Sequence, residues 1–168
     1  MINQEEQLPA RVCLHLSIRT SAAAFSARYH DVRERLYLET LESLGNLESH
    51  EHTLPWDVKV FEIEHIQAWL LLVVYEYMHM DKMQASPAMS RALRLTQRCR
   101  LGDLDASGVL TQDSFAIMEE KSRTFWLTFC FDRLLNTRND LNWALPKDIV
   151  SSCHGDFCSL QTTYLKLD

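Results

Sequence analysis

Apolar residues recur along this chain at helical spacing. From Val60 to Met80, the residues Ile63, Ile66, Trp69, Leu70, Val73, Tyr77 and Met80 follow in steps that keep one side of a helix, and Leu71, Leu72 and Val74 widen that stripe. A helix apolar on nearly every side belongs at the centre of a fold. Upstream, Asp31 and Glu34 stand in capping-box register, Leu38, Leu41 and Leu44 run along one side, and Gly45 is a fitting stop, which predicts a helix over 31–44. Downstream, Ser86 and Pro87 open a predicted helix over 87–100, with Met89, Leu93 and Thr96 on one face. A last period, with Met118, Phe125, Phe129 and Leu134 directed inward, predicts a helix over 114–137.

Between Pro9 and Phe25 two patterns compete. Val12, Leu14, Leu16 and Ile18 alternate as in a strand, but Ala22, Ala23 and Ala24 follow, and alanine is the strongest helix former, so the segment is expected to be helical. The polar stretches 46–56 and 102–112 are expected to be connecting loops, and no sustained period follows Pro146. Glycine and proline number only four each among 168 residues, too few breakers for a sandwich that turns every few residues. The expected fold is therefore all-α, an irregular multi-helix array.

Charge and cysteine usage narrow the function classes. The net charge of −6, with arginines scattered from Arg11 to Arg138 beside acidic residues, is unlike a surface that grips a phosphate backbone, so no direct DNA contact is expected. Cys13, Cys99, Cys130, Cys153 and Cys158 are odd in number and dispersed, as reduced thiols would be. The acidic opening MINQEEQLPA is unlike a secretory leader, and the longest apolar run, Ala68–Tyr75, is far below the roughly 18 residues of a membrane span. A soluble intracellular chain with no membrane partner is expected.

Candidate chemistry is sparse. His50-Glu51-His52 supplies two of the four ligands a zinc site needs, and Cys153, His154 and Cys158 lack a second ligand pair nearby. Both are read as metal-free, and no cofactor is expected. The chain contains no Gly-rich phosphate loop, no His-Glu-x-x-His and no Gly-x-Ser-x-Gly, so it is not expected to be an enzyme. The charges that interrupt apolar helix faces are Arg94, Glu120, Arg123, Asp132 and Arg133. A buried charge must be paired, so these five are expected to form a structural ion-pair cluster, with Glu120 or Asp132 serving Arg123 and Arg94 as the cross-helix mate. The functional alternative is a polar patch at the mouth of an effector pocket.

Two segments are more specific than their periodicity: IQAWLLLVVYEYMHMDKMQASPAMSRALRLTQRCRLGD and EEKSRTFWLTFCFDRLLNTRNDLNWALPKDI. Together they resemble the fungal-specific transcription factor domain, the regulatory middle homology region of zinc binuclear cluster factors. The matching residues are Tyr75-Glu76, Ala92 and Arg94, Leu101-Gly102, then Glu119, Glu120, Arg123, Phe125, Trp126, Asp132 and Arg133, and the ending Leu145-Pro146-Lys147-Asp148-Ile149. The departures are Asp103-Leu104 where the family has Leu-His, and a tail, SSCHGDFCSLQTTYLKLD, that resembles nothing in it. Five scattered cysteines also cannot supply the six thiolates of the family's zinc cluster. The resemblance implies a truncated chain in which residues 1–150 are a partial regulatory domain and 151–168 an aberrant or unstructured tail. It implies transcription regulation in the nucleus, of a biosynthetic or metabolic gene set, through partners in the transcription machinery or self-association. The alternatives are a small helical metabolite-binding protein or enzyme, and a nonfunctional truncated product.

Overall fold

Small side chains decide where the first helix lies. The computed structural model describes residues 9–53, 63–80, 85–103, 115–136 and Leu145, with side chains in the helix ends excepted at 50–53, 85–86 and 103. Helix α1 spans Pro9–Ala24, so the alternating aliphatics do not make a strand. Its buried face is Ala10, Cys13, Ser17, Thr20 and Ala23, a helical repeat of small residues, while Val12 and Ile18 are exposed. Short side chains let a helix axis approach its neighbours closely, and α1 packs against both α2, His30–Thr53, and α3, Ile63–His79. Ser17, Thr20 and Thr40 have their buried hydroxyls bonded, while Ser21 Oγ is buried with no partner among the described residues. Ser17 Oγ donates to the carbonyl of Cys13 at 3.0 Å, and Thr40 Oγ1 to that of Leu36 at 2.7 Å while sharing a 2.9 Å bond with Thr20. Cys13 Sγ meets Ser43 Oγ at 3.2 Å, and burial raises the thiol's pKa.

Helix α2 departs from expectation at both ends. A 3-10 turn, Ala27–Tyr29, leads directly into it, so Asp31 sits inside the first turn, where it faces the positive end of the helix dipole, and is not the capping residue. Gly45 does not stop the helix either, and residues 46–53, expected to be loop, continue it. A mid-helix glycine costs about 1 kcal/mol, which contacts on both sides offset: Leu44 is fully buried, and Glu48 is bonded to Arg91. Of the expected leucine stripe, only Leu44 is buried, and Leu38 is exposed.

Helix α3 is central, as its wide stripe requires. Ile66, Ala68, Trp69, Leu70, Leu72, Val73 and Tyr75 are all buried. Helix α4, Ala85–Arg98, packs on it with Met89, Leu93 and Thr96 inward, together with Ala88, Ala92 and Leu95. It ends as Arg100 takes a left-handed φ of 50°, a place more often filled by glycine. These four helices belong to one compact unit, Met1–Cys99; a second unit covers Arg100–Asp168.

The second unit contains the 3-10 turn Leu101–Asp103, with Leu101 buried, and helix α5, Phe115–Asn136, against which that turn packs. Phe125 and Phe129 are buried as expected, but Met118 and Leu134 are exposed. Their places on the inner face are taken by Thr124, Trp126, Thr128, Asp132 and Leu135. Among the described residues there is no strand, and no helix is long and apolar enough to cross a membrane. Cys153, His154 and Cys158, read above as metal-free, the residues 54–62 and 104–112, and the tail 151–168 lie outside the described residues. His50-Glu51-His52 lies on helical backbone with its side chains outside them.

Candidate functional site

Among the described residues a carboxylate is buried at two places, one in each unit. In the first, Glu76 continues the spacing of Ile66, Trp69 and Val73 along α3, so helical geometry carries its carboxylate into the apolar core, where it is 3% exposed. Tyr37 of α2 donates its hydroxyl to Glu76 Oε1 at 2.8 Å, and the Tyr37 ring stacks on Tyr75 at 5.0 Å. Glu76 Oε2 has no hydrogen-bond partner among the described residues. Burial raises the Glu76 pKa, while the Tyr37 bond and the Arg91 charge act against that rise. Burial and then the Glu76 carboxylate push the Tyr37 phenol far above its usual range.

Arg91 extends the network into α4. It pairs with Glu48 at 2.7 Å and lies over the Trp69 ring, 4.8 Å from its centroid. Trp69 Nε1 in turn donates to His65 Nε2 at 3.2 Å. An indole only donates, so that nitrogen of His65 must be unprotonated, and the imidazole is held neutral with its proton on Nδ1. Burial, with a smaller contribution from the Arg98 charge, lowers the His65 pKa to about 4. The Tyr75 ring meets His79 edge-on, and His79 meets Phe25 likewise. Long polar and aromatic side chains thus tie α2 to α3 and α4.

In the second unit, Asp132 is fully buried on α5. Its Oδ1 accepts from Asn136 Nδ2 at 2.7 Å and its Oδ2 from the backbone N–H of Leu145 at 3.1 Å. Arg133 donates Nη2 to the Leu145 carbonyl at 2.6 Å and packs over the Phe129 ring at 4.5 Å. Adjacent residues therefore hold both polar groups of one returning residue. Arg133's pKa is lowered by burial, and the neighbouring Asp132 charge opposes the shift. Trp126 stands edge-on to both Phe125 and Phe129.

Of the five charges singled out from the sequence, Glu120, Arg123, Asp132 and Arg133 lie on α5 in the second unit and Arg94 on α4 in the first. Asp132 and Arg133 come together on Leu145. Arg123 pairs with Glu119 at 2.8 Å on an exposed face, not with Glu120 or Asp132, because a partner four residues back shares its side of the helix while Asp132, nine residues on, is on the opposite side. Glu120 is exposed, and Arg94 is exposed on α4 with no ion pair among the described residues. No cluster of three or more potential metal ligands occurs among the described residues. Sequence reasoning singled out neither His65, Tyr37, Glu48 nor Arg91, and Glu76 only as one member of a family pair. Its signal was a carboxylate in register with an apolar stripe.

Comparison with known proteins shows the family. The model of the fungal specific transcription factor domain matches residues 9–138. The abscisic acid cluster transcription factor abl7 of Leptosphaeria maculans is 68% identical over 92% of this chain and 28% of its own length. The asperfuranone cluster transcription factor afoA of Emericella nidulans is 37% identical over 89% of this chain and 25% of its own, and the pigment biosynthesis transcriptional activator pigB of Monascus ruber 31% identical over 86% and 26%. The chain thus spans between a quarter and a third of the length of these curated relatives. No solved structure matches it significantly. The chain belongs to the fungal specific transcription factor domain family.

Proposed function

We propose that this chain acts in the nucleus as the regulatory, non-DNA-contacting region of a transcription factor that controls a set of biosynthetic genes. The observation that carries the reading is the 68% identity, across nearly the whole chain, with a factor named for a biosynthetic cluster. Residues 1–150 are the partial regulatory domain in this reading, and 151–168 stand outside it. The charged family residues act structurally, as Asp132 and Arg133 do on Leu145, and the chain works through protein partners or self-association without catalysis. The acidic balance supports an absence of direct DNA contact.

The test is to delete the gene in its host and sequence the transcripts. Coordinated change across a contiguous block of biosynthetic genes is expected, and its restoration by the reintroduced gene confirms the cause. An unchanged transcriptome under conditions in which the gene is expressed overturns the reading.

A further inference from the structure

A cleft of about 420 Å³ opens where α1 passes through the 3-10 turn into α2, lined by Arg19, Ala22, Ala23, Tyr29, Val32, Arg35 and Leu36. Its size falls within the range of small-molecule sites, roughly 300–1,000 Å³. Ala22, Ala23, Val32 and Leu36 make its lining largely apolar, and the two alanines take little of its space. Among the described lining residues the charged ones, Arg19 and Arg35, are both cationic, on a chain whose net charge is −6. Arg11, Arg91 and Arg123 each pair with a glutamate, but neither Arg19 nor Arg35 makes an ion pair or hydrogen bond to another described residue. Two guanidinium groups with no partner among the described residues, beside an apolar hollow, match a ligand with one anionic head and an apolar body, since guanidinium binds carboxylate by charge-assisted, often bidentate hydrogen bonds.

We infer that this cleft binds a small amphipathic carboxylate, whose acid group meets Arg19 and Arg35 and whose apolar body lies against Ala22, Ala23, Val32 and Leu36. The concave, single-molecule size favours such a ligand over a peptide or a lipid surface. The site goes beyond the regulatory reading and stands whether or not that reading holds.

The test is calorimetric titration of the full chain with 1-naphthaleneacetate and its neutral match, 1-naphthaleneacetamide. The carboxylate is expected to bind with a Kd below about 1 mM and at least about tenfold more tightly than the amide. Arg19→Gln combined with Arg35→Gln should erase that preference, while Ala22→Phe, which fills the hollow and keeps both charges, should weaken both probes. Circular dichroism identical to the parent confirms that each variant is folded; if the double variant is not, the two single replacements take its place. Equal binding of acid and amide, binding of neither, or a preference that survives the loss of both arginines overturns the inference. So does flotation with phosphatidylglycerol vesicles by a chain that ignores the soluble acid.

Discussion

Asp132 and Glu76 are carboxylates buried to nearly the same degree, and they are provided for differently. Asp132 has both oxygens engaged, one by Asn136 and one by the Leu145 amide, with Arg133 on the same residue's carbonyl. Glu76 has one oxygen bonded to Tyr37 and the other without a partner among the described residues. A buried charge with its hydrogen bonds complete is expensive to remove, and one left incomplete is expensive to keep. The α5 carboxylate therefore serves as a fastening, while the α3 carboxylate carries a cost that protonation relieves.

The largest test of that contrast is Asp132→Ala. It strands the Leu145 amide and leaves the Arg133 charge without its neighbour, and is expected to cost about 3–5 kcal/mol, read from urea denaturation. A loss under about 1 kcal/mol would mean the fastening is solvated and the two carboxylates are alike.

His65 sharpens the comparison from the other end of α3. Its folded pKa is lowered to about 4 from an ordinary 6.5, so its contribution is fully present above pH 6.5 and is lost as pH falls from there toward 4. The loss amounts to about 3 kcal/mol at most, because each pKa unit is worth about 1.4 kcal/mol. Thermal melts of His65→Gln should show a flatter decline between pH 6.5 and 4 than the parent. Parallel curves would mean that His65 does not titrate differently in the folded chain.

Glu76 has the opposite sign. Its folded pKa is raised, so its contribution favours folding at low pH and is lost as pH rises through the folded value. Glu76→Gln removes the charge and keeps an acceptor for Tyr37. Relative to the parent it should gain about 1 kcal/mol at pH 8, the scale of one buried unsatisfied polar atom, and less at pH 5. A variant destabilised at pH 8 as severely as Asp132→Ala would erase the distinction. The smallest expected effect is on the exposed pair: Glu119→Ala should change stability by no more than about 0.5 kcal/mol in the same melts.

What could be read from the sequence follows from what periodicity measures. An apolar stripe reports which face is buried when the packing partner asks for bulk, and α3 and the Met89–Leu93–Thr96 face of α4 were legible for that reason. In α1 the buried face is small and partly polar because close approach, not bulk, places it, so Val12 and Ile18 point outward and the aliphatic pattern misleads. Gly45 reads as a stop because propensity is local, whereas the contacts that carry α2 past it come from α4, more than forty residues away in sequence. Asp132 and Arg133 were recognisable as charges needing partners. That the partner is main chain at Leu145 was not legible, since a backbone amide has no letter of its own. The Arg19–Arg35 cleft escaped for a similar reason: its hollow comes from two alanines, which a sequence reading takes as helix formers.

Gly45 also has a mechanical consequence. Helix α2 is held by Tyr37, Thr40, Ser43 and the buried Leu44 before Gly45 and by Glu48 after it, and Gly45 itself has no side chain and nothing described within 4 Å of where one would be. The same point is softened further by Ser49, whose hydroxyl donates to the Gly45 carbonyl at 2.8 Å and competes for it with the helix's own ladder. A rod clamped at two places and thin between them flexes at the thin point. Bending of α2 is therefore expected first at Gly45, between the contact from α4 and those from α1 and α3.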